Sequence, residues 1–221
     1  MKLIQQKHKL KIEVSPRETE KVKKHGVLFP NNIRCAIVGP SGCGKTSLLI
    51  GLLKHPDGIK FENIYIYCKT LFQDKYQMLK LVVDSIPGMM YHQCEDPITV
   101  QSVEPNSTVV FDDVACEQQI PMRDFYCMGR HKNLDLFYLC QTYSRLPKQL
   151  LRDNLNFIIL FKQDLGNLKH VYDEYVSGDM RFDEFLKMCR HSWQDRFGFL
   201  TISPTDNEGR YRRGLDEFYK L

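Results

Sequence analysis

From residue 33 onward, short apolar runs alternate with stretches whose apolar residues recur at helical spacing. The runs at 33–38, 63–68, 108–112, 134–140, 156–161 and 197–202 read as strands. They are rich in Val, Ile, Leu and Phe with little polar alternation, the pattern of strands covered on both faces. Helical spacing fits 44–53, 73–85, 122–130, 148–152, 168–176 and 182–191. Strand and helix in turn predict an α/β fold, a mostly parallel sheet sandwiched by helices. Residues 1–26 read differently. Leu10-Lys11-Ile12-Glu13-Val14 alternates apolar with charged, which predicts an edge strand or a solvated basic arm ahead of a domain spanning 27–221.

Composition narrows the class. A chain of 221 residues with 43% apolar content suits one folded domain and excludes global disorder. The net charge is +4, yet residues 1–26 alone hold eight Lys/Arg against three Glu. The remainder is therefore close to neutral, and the basic arm becomes the place to look for a polyanionic partner. The longest uncharged stretches run to about ten residues, roughly half of a membrane span. No apolar segment follows the first lysines, so no secretory signal is expected and the reading is intracellular. Eight Cys at irregular spacing, none in a CxxC pair, predict reduced and mostly buried thiols. His92/Cys94 and Cys189/His191 are the pairs that would serve as zinc half-sites instead.

The strongest chemical signal is Gly39-Pro40-Ser41-Gly42-Cys43-Gly44-Lys45-Thr46, followed by Ser47. It fits G-x-x-x-x-G-K-[ST] at every position. A loop wrapped round phosphates needs backbone N–H groups close to the ligand, and glycine permits the required turn. The helix that follows offers unpaired N–H groups and a positive dipole end. Lys45 supplies a mobile cation for the β- and γ-oxygens, and Thr46 a hydroxyl ligand for Mg²⁺. The preceding strand and following helix give the context that such a P-loop requires, and with it an ATP-binding reading.

A Mg²⁺-nucleotide site also needs a carboxylate at the end of a buried neighbouring strand. Val109-Val110-Phe111-Asp112-Asp113 supplies it. Asp112 is the expected metal ligand, and Asp113 the group that orients or deprotonates the attacking water. One strand and one helix, 63–68 and 73–85, lie between the loop and Asp112; an added strand there marks the additional-strand, motor-type branch of P-loop ATPases. The strand over 136–140 ends in Gln141, placed to reach the γ-phosphate or the water. Lys132-Asn133-Leu134-Asp135 has the wrong order for a guanine-binding motif, which argues against a GTPase. A small-molecule or nucleotide kinase remains the alternative, as does a nucleotide-dependent switch that docks another protein. Arg130, Arg145 and Arg152 are the arginines available to stabilise transferring phosphate, Arg130 and Arg152 being preferred as finger or sensor.

The order GPSGCGKT, then VVFDDV, then GRHKNLDLFYLCQTYSRLPKQLLRDN resembles the viral genome-packaging ATPases of the FtsK–HerA superfamily, of poxvirus and Polinton/adintovirus type. The resemblance covers roughly residues 27–165. The wider superfamily usually has Asp-Glu where this chain has Asp112-Asp113. The resemblance implies ATP hydrolysis coupled to movement of double-stranded DNA, without sequence preference, into a preformed capsid. It implies a homo-oligomeric ring of five or six subunits, contact with capsid proteins, and work in the virion or at the site of virus assembly. It implies no membrane anchor, and at this length no nuclease. The basic arm, Lys132 and the cluster at 210–213 are the groups expected to grip DNA phosphates.

Overall fold

The computed structural model describes residues 23–68, 74–94, 96, 98–114, 120–149, 151–206 and 208–221. Most of the expected basic arm, residues 1–22, lies outside the described residues. Among the described residues, one nine-stranded sheet has the order β3-β2-β4-β5-β1-β6-β7-β8-β9. β1 is Arg34–Val38, β2 Asn63–Cys68, β3 Met90–Cys94, β4 Ser107–Asp112, β5 Asp135–Cys140, β6 Phe157–Leu160, β7 Leu200–Ile202, β8 Tyr211–Arg213 and β9 Glu217–Phe218. The first six in that order run parallel, and β7 to β9 close the edge as an antiparallel meander.

The central strands are buried on both faces because each face carries its own apolar layer. Ala36 and Val38 of β1 join Phe111, Tyr138 and Phe125 in one core, while Cys35 and Ile37 join Val110, Leu139, Leu49 and Leu79 in the other. The two-residue alternation of a strand thus sorts consecutive side chains between two helical layers. Helices α1 (Lys45–Lys54) and α2 (Asp74–Asp84) cover one face. Helices α3 (Ile120–Met128), α4 (Leu165–Val171) and α5 (Phe182–Ser192) run over the other, where Phe125, Leu168, Val171, Phe185 and Met188 are buried.

Several expectations need correction. The stretch at 148–152 does not form a helix: after Pro147 the chain makes a turn and then a short 3-10 turn at Arg152–Asn154. The helix expected over 168–176 starts earlier, where Asp164 caps it by accepting from the Asn167 N–H at 3.0 Å, and ends as a single π-helical turn at Tyr172–Val176. β3, β8 and β9 carry too many polar or charged residues for an apolar-run reading to find. The strand inserted between the phosphate-loop strand and the acidic strand is β5, which follows Asp112 in sequence; β2 and β3 lie beyond β4.

Register explains where the site falls. Val38 of β1 pairs with Cys140 of β5, and Leu139 of β5 with Asp112 of β4. Gly39 N–H donates to the Cys140 carbonyl at 3.0 Å, and Asp113 N–H to that of Leu139 at 3.3 Å. Three adjacent parallel strands therefore end level, and their following residues meet at one edge, the usual ligand side of an open α/β sheet.

Candidate phosphate and metal site

The phosphate loop leaves β1 and turns into α1. Gly42 (φ 76°) and Gly44 (φ 106°) occupy the left-handed region that a side chain would strain. Gly44 is the N-cap of α1 and provides no side-chain cap, so the first helical N–H groups stay available to an anion. Lys45 Nζ donates to the carbonyls of Gly39 at 2.7 Å and Pro40 at 3.1 Å, folding its charge over the loop. A cleft of about 350 Å³ opens here. Lys45, Thr46, Asp112, Asp113 and Gln141 all line it.

Asp112 is 5% exposed. Burial raises its pKa above the ordinary carboxylate value; hydrogen bonds from Tyr76 and Thr46 and the charge of Lys45 pull back the other way, while Asp113 adds to the rise. The Tyr76 hydroxyl, itself buried, donates to Asp112 Oδ2 at 2.5 Å. A buried carboxylate touching a threonine hydroxyl at the mouth of a phosphate cleft is a hard-oxygen donor set of the kind Mg²⁺ takes. Thr46 and Asp112 thus fit the metal role expected of them.

Asp113 is exposed and adopts φ 55°, a left-handed conformation in a residue with a side chain. That conformation costs on the order of 1–2 kcal/mol and turns the chain out of the sheet just beyond Asp112. Gln141 stands at the end of β5, its carbonyl accepting from Gln163 Nε2 at 3.1 Å. Beneath it, burial pushes the Cys140 thiol up to about 12, so it is a packing group here.

Two cleft residues carried no sequence signal. Lys75, in the first turn of α2, donates to Ser47 Oγ at 2.7 Å and brings a second cation to the cleft. Phe197 reaches the cleft from the turn before β7 and lies 3.4 Å from where a Cβ on Gly44 would stand. Neither belongs to a motif; only the packing of α2 and of the antiparallel edge brings them here.

Arg130 and Arg152 lie elsewhere. Arg130 is exposed in the 3-10 turn Gly129–Lys132. The Leu134 N–H donates to the Gly129 carbonyl at 3.1 Å just before β5 begins, which sets Arg130 at the sheet edge opposite the phosphate loop. Arg152 is held by Glu174 at 2.7 Å and lies over the Tyr143 ring, outside the cleft lining. The cluster at 210–213 is not a free basic patch. Arg212, 2% exposed, is bound to Asp206 and to the carbonyls of Gly209 and Leu28. Arg210 pairs with Asp179, and Arg213 with Asp195 and Glu217. Lys132 likewise spends its ammonium on the carbonyls of Gln101 and Val103. These groups are engaged within the chain, so they do not form a free basic patch.

The zinc half-sites are occupied by packing: His92 stacks on Tyr65 at 4.2 Å, and His191 Nδ1 meets the Tyr219 hydroxyl at 2.8 Å. Among the described residues, no group of three or more His, Cys, Asp or Glu is arranged to hold a metal. Among them, too, no helix is long and apolar enough to cross a membrane.

No family model and no curated protein matches the sequence. Solved structures do. The genome packaging NTPase B204 from Sulfolobus turreted icosahedral virus 2, in complex with AMP, matches with TM-score 0.56 over 79% of this chain and 94% of that one, at 14% identity. The same NTPase with ATP-gammaS matches with TM-score 0.55 over 78% and 92%, at 15% identity. B204 of Sulfolobus turreted icosahedral virus, described as its DNA-packaging ATPase, matches with TM-score 0.54 over 79% and 93%, at 15% identity. At such identity the likeness is one of fold. The chain has the α/β P-loop NTPase fold, and its similarity to these viral packaging NTPases runs nearly the whole length of theirs.

Proposed function

We propose that the chain is a Mg²⁺-dependent ATPase that works as a ring and moves double-stranded DNA into a viral capsid. The observation that carries the ATPase part is the meeting of the phosphate loop, the Thr46–Asp112 contact, Asp113 and Gln141 at the level ends of β1, β4 and β5. The loop N–H groups and Lys45 bind the triphosphate, and Lys75 adds a second positive charge. Thr46 and Asp112 would hold Mg²⁺, which would supply positive charge to offset that building up in phosphoryl transfer. Asp113 takes a proton from the attacking water or orients it. Gln141 holds that water in line with the γ-phosphorus. The role of B204, DNA packaging, supports the choice of DNA as the load.

The ring part rests on Arg130. Strand β1 separates it from its own phosphate loop by roughly 15 Å, at about 3.3 Å per residue. An exposed arginine on the far edge meets a γ-phosphate only when it belongs to another copy. Head-to-tail contact between copies, closing by rotation, provides that.

Replacing Asp113 with Asn tests the mechanism. ATP binding is expected to survive and turnover to fall at least 100-fold, since the catalytic base is lost while the phosphate cradle stays. Turnover unchanged in Asp113→Asn, or phosphate passed to a small acceptor in place of water, contradicts the proposal.

A further inference from the structure

Phosphates cradled at residues 39–46 leave their nucleoside to project beyond the cleft. Two cavities adjoin it. One, of about 430 Å³, shares Phe197 with the cleft and is bounded by Arg196, Phe199 and Asp216. The other, of about 500 Å³, shares Ser47 and is walled by Leu48, Leu52 and Leu215. Its aromatic residue, Phe29, is buried and packed on Phe157 at 5.7 Å, so it has no ring to offer. Phe197 is different: it is 54% exposed, at the junction of cleft and cavity.

The turn that carries Phe197 is braced on every side. Gly198 N–H donates to the Asp195 carbonyl at 3.0 Å. A Cβ on Gly198 would meet the Ser192 carbonyl at 2.3 Å, so the turn tolerates no side chain there. Trp193 Nε1 fastens the preceding segment to β6 through the Leu160 carbonyl at 2.8 Å. Gly214 N–H holds Phe199 from the far side at 2.9 Å. The Arg196 guanidinium lies over the Phe197 ring at 5.2 Å. A large aromatic left in water loses the benefit of burial, and here the backbone that carries it is held in place. An exposed ring on a fixed backbone beside a phosphate cradle is what a stacked base requires, because every base presents a π-face.

We infer that Phe197 is the stacking platform for the base of a bound nucleoside triphosphate, and that the cavity it shares with Arg196 and Asp216 receives the nucleoside. The inference rests on the phosphate-cleft reading above and adds the second half of the ligand. The test compares ATP with inorganic tripolyphosphate, which has phosphates and no base, on the full chain with Mg²⁺ by calorimetry. Phe197→Ala should weaken ATP roughly 5- to 100-fold and leave tripolyphosphate within twofold. Phe197→Trp should keep ATP affinity, and its added emission should change with ATP and not with tripolyphosphate. ATP affinity unchanged in Phe197→Ala, or ATP and tripolyphosphate weakened alike, overturns the platform. Tripolyphosphate binding that ignores Lys45→Ala overturns instead the phosphate cradle on which the platform depends.

Discussion

Replacing Tyr76 with Phe removes one oxygen atom and tests how the acidic centre is held. The Tyr76 hydroxyl is fully buried and donates to Asp112 Oδ2 at 2.5 Å. The phenyl ring that remains fills the same space, so the cost is that of the hydrogen bond alone. A bond to a charged group contributes about 1.5–3 kcal/mol, and here the acceptor is left buried. For a domain of this size that corresponds to a fall of roughly 3–12 °C in Tm. The pH dependence has a definite sign. Asp112 already titrates above its ordinary value because it is buried, with the Tyr76 bond opposing that rise. The folded state therefore holds this proton more tightly than the unfolded state, and stability falls as pH climbs from the unfolded carboxylate pKa through the folded one. Tyr76→Phe removes an opposing bond, so that window should extend to higher pH and the loss across it should deepen. Mg²⁺ with ATP should recover part of the loss, since a bound cation compensates the carboxylate. Urea unfolding from pH 4 to pH 8, with and without Mg²⁺-ATP, reads all three. A cost below about 0.5 kcal/mol with an unaltered pH profile would refute the reasoning. A double-mutant cycle with Asp112→Asn assigns the effect to this pair.

Two further predictions concern the opposite edge of the sheet. Asp135 is buried and accepts from Lys24 Nζ at 2.6 Å and from the Ile33 N–H at 2.8 Å, with the His25 ring 3.0 Å away, tying the chain before β1 to the start of β5. Asp135→Ala leaves the Ile33 N–H without its acceptor and Lys24 without its counter-charge, and should cost about 3–5 kcal/mol in urea unfolding; a loss under about 1 kcal/mol would show that the latch contributes little. For the trans role of Arg130, mixtures of Arg130→Ala and Lys45→Ala subunits should recover turnover through sites that combine an intact loop with an intact arginine. Mixtures as inactive as either variant would count against it.

Much of the centre of the fold was legible because its strands are long apolar runs and its phosphate loop is a fixed pattern. The run Val109-Val110-Phe111 also announced Asp112, because an acid that ends a buried strand needs a reason to be there. The edges were not legible. β3 (Met90–Cys94) is a half-exposed edge strand of mixed polarity. β8 keeps Arg212 inside the fold where Asp206 meets it, while Arg213 and the preceding Arg210 pair with Asp195 and Asp179. Lys132 to Asp135 was informative only as a failed guanine motif. In the fold, Asn133 (φ 58°) makes the turn there and Asp135 anchors the segment before β1. Lys75 and Phe197 reach the cleft from elements separated from the loop by tens of residues, and only the sheet order places them there.

The central claim, that a Mg²⁺-ATP site at residues 39–47, Asp112 and Asp113 drives DNA, is tested most directly by ATP turnover measured with and without double-stranded DNA. Turnover should rise several-fold with DNA of any sequence, lose that rise steeply as salt increases, and vanish in Lys45→Ala. Turnover indifferent to DNA, or retained in Lys45→Ala, would contradict it.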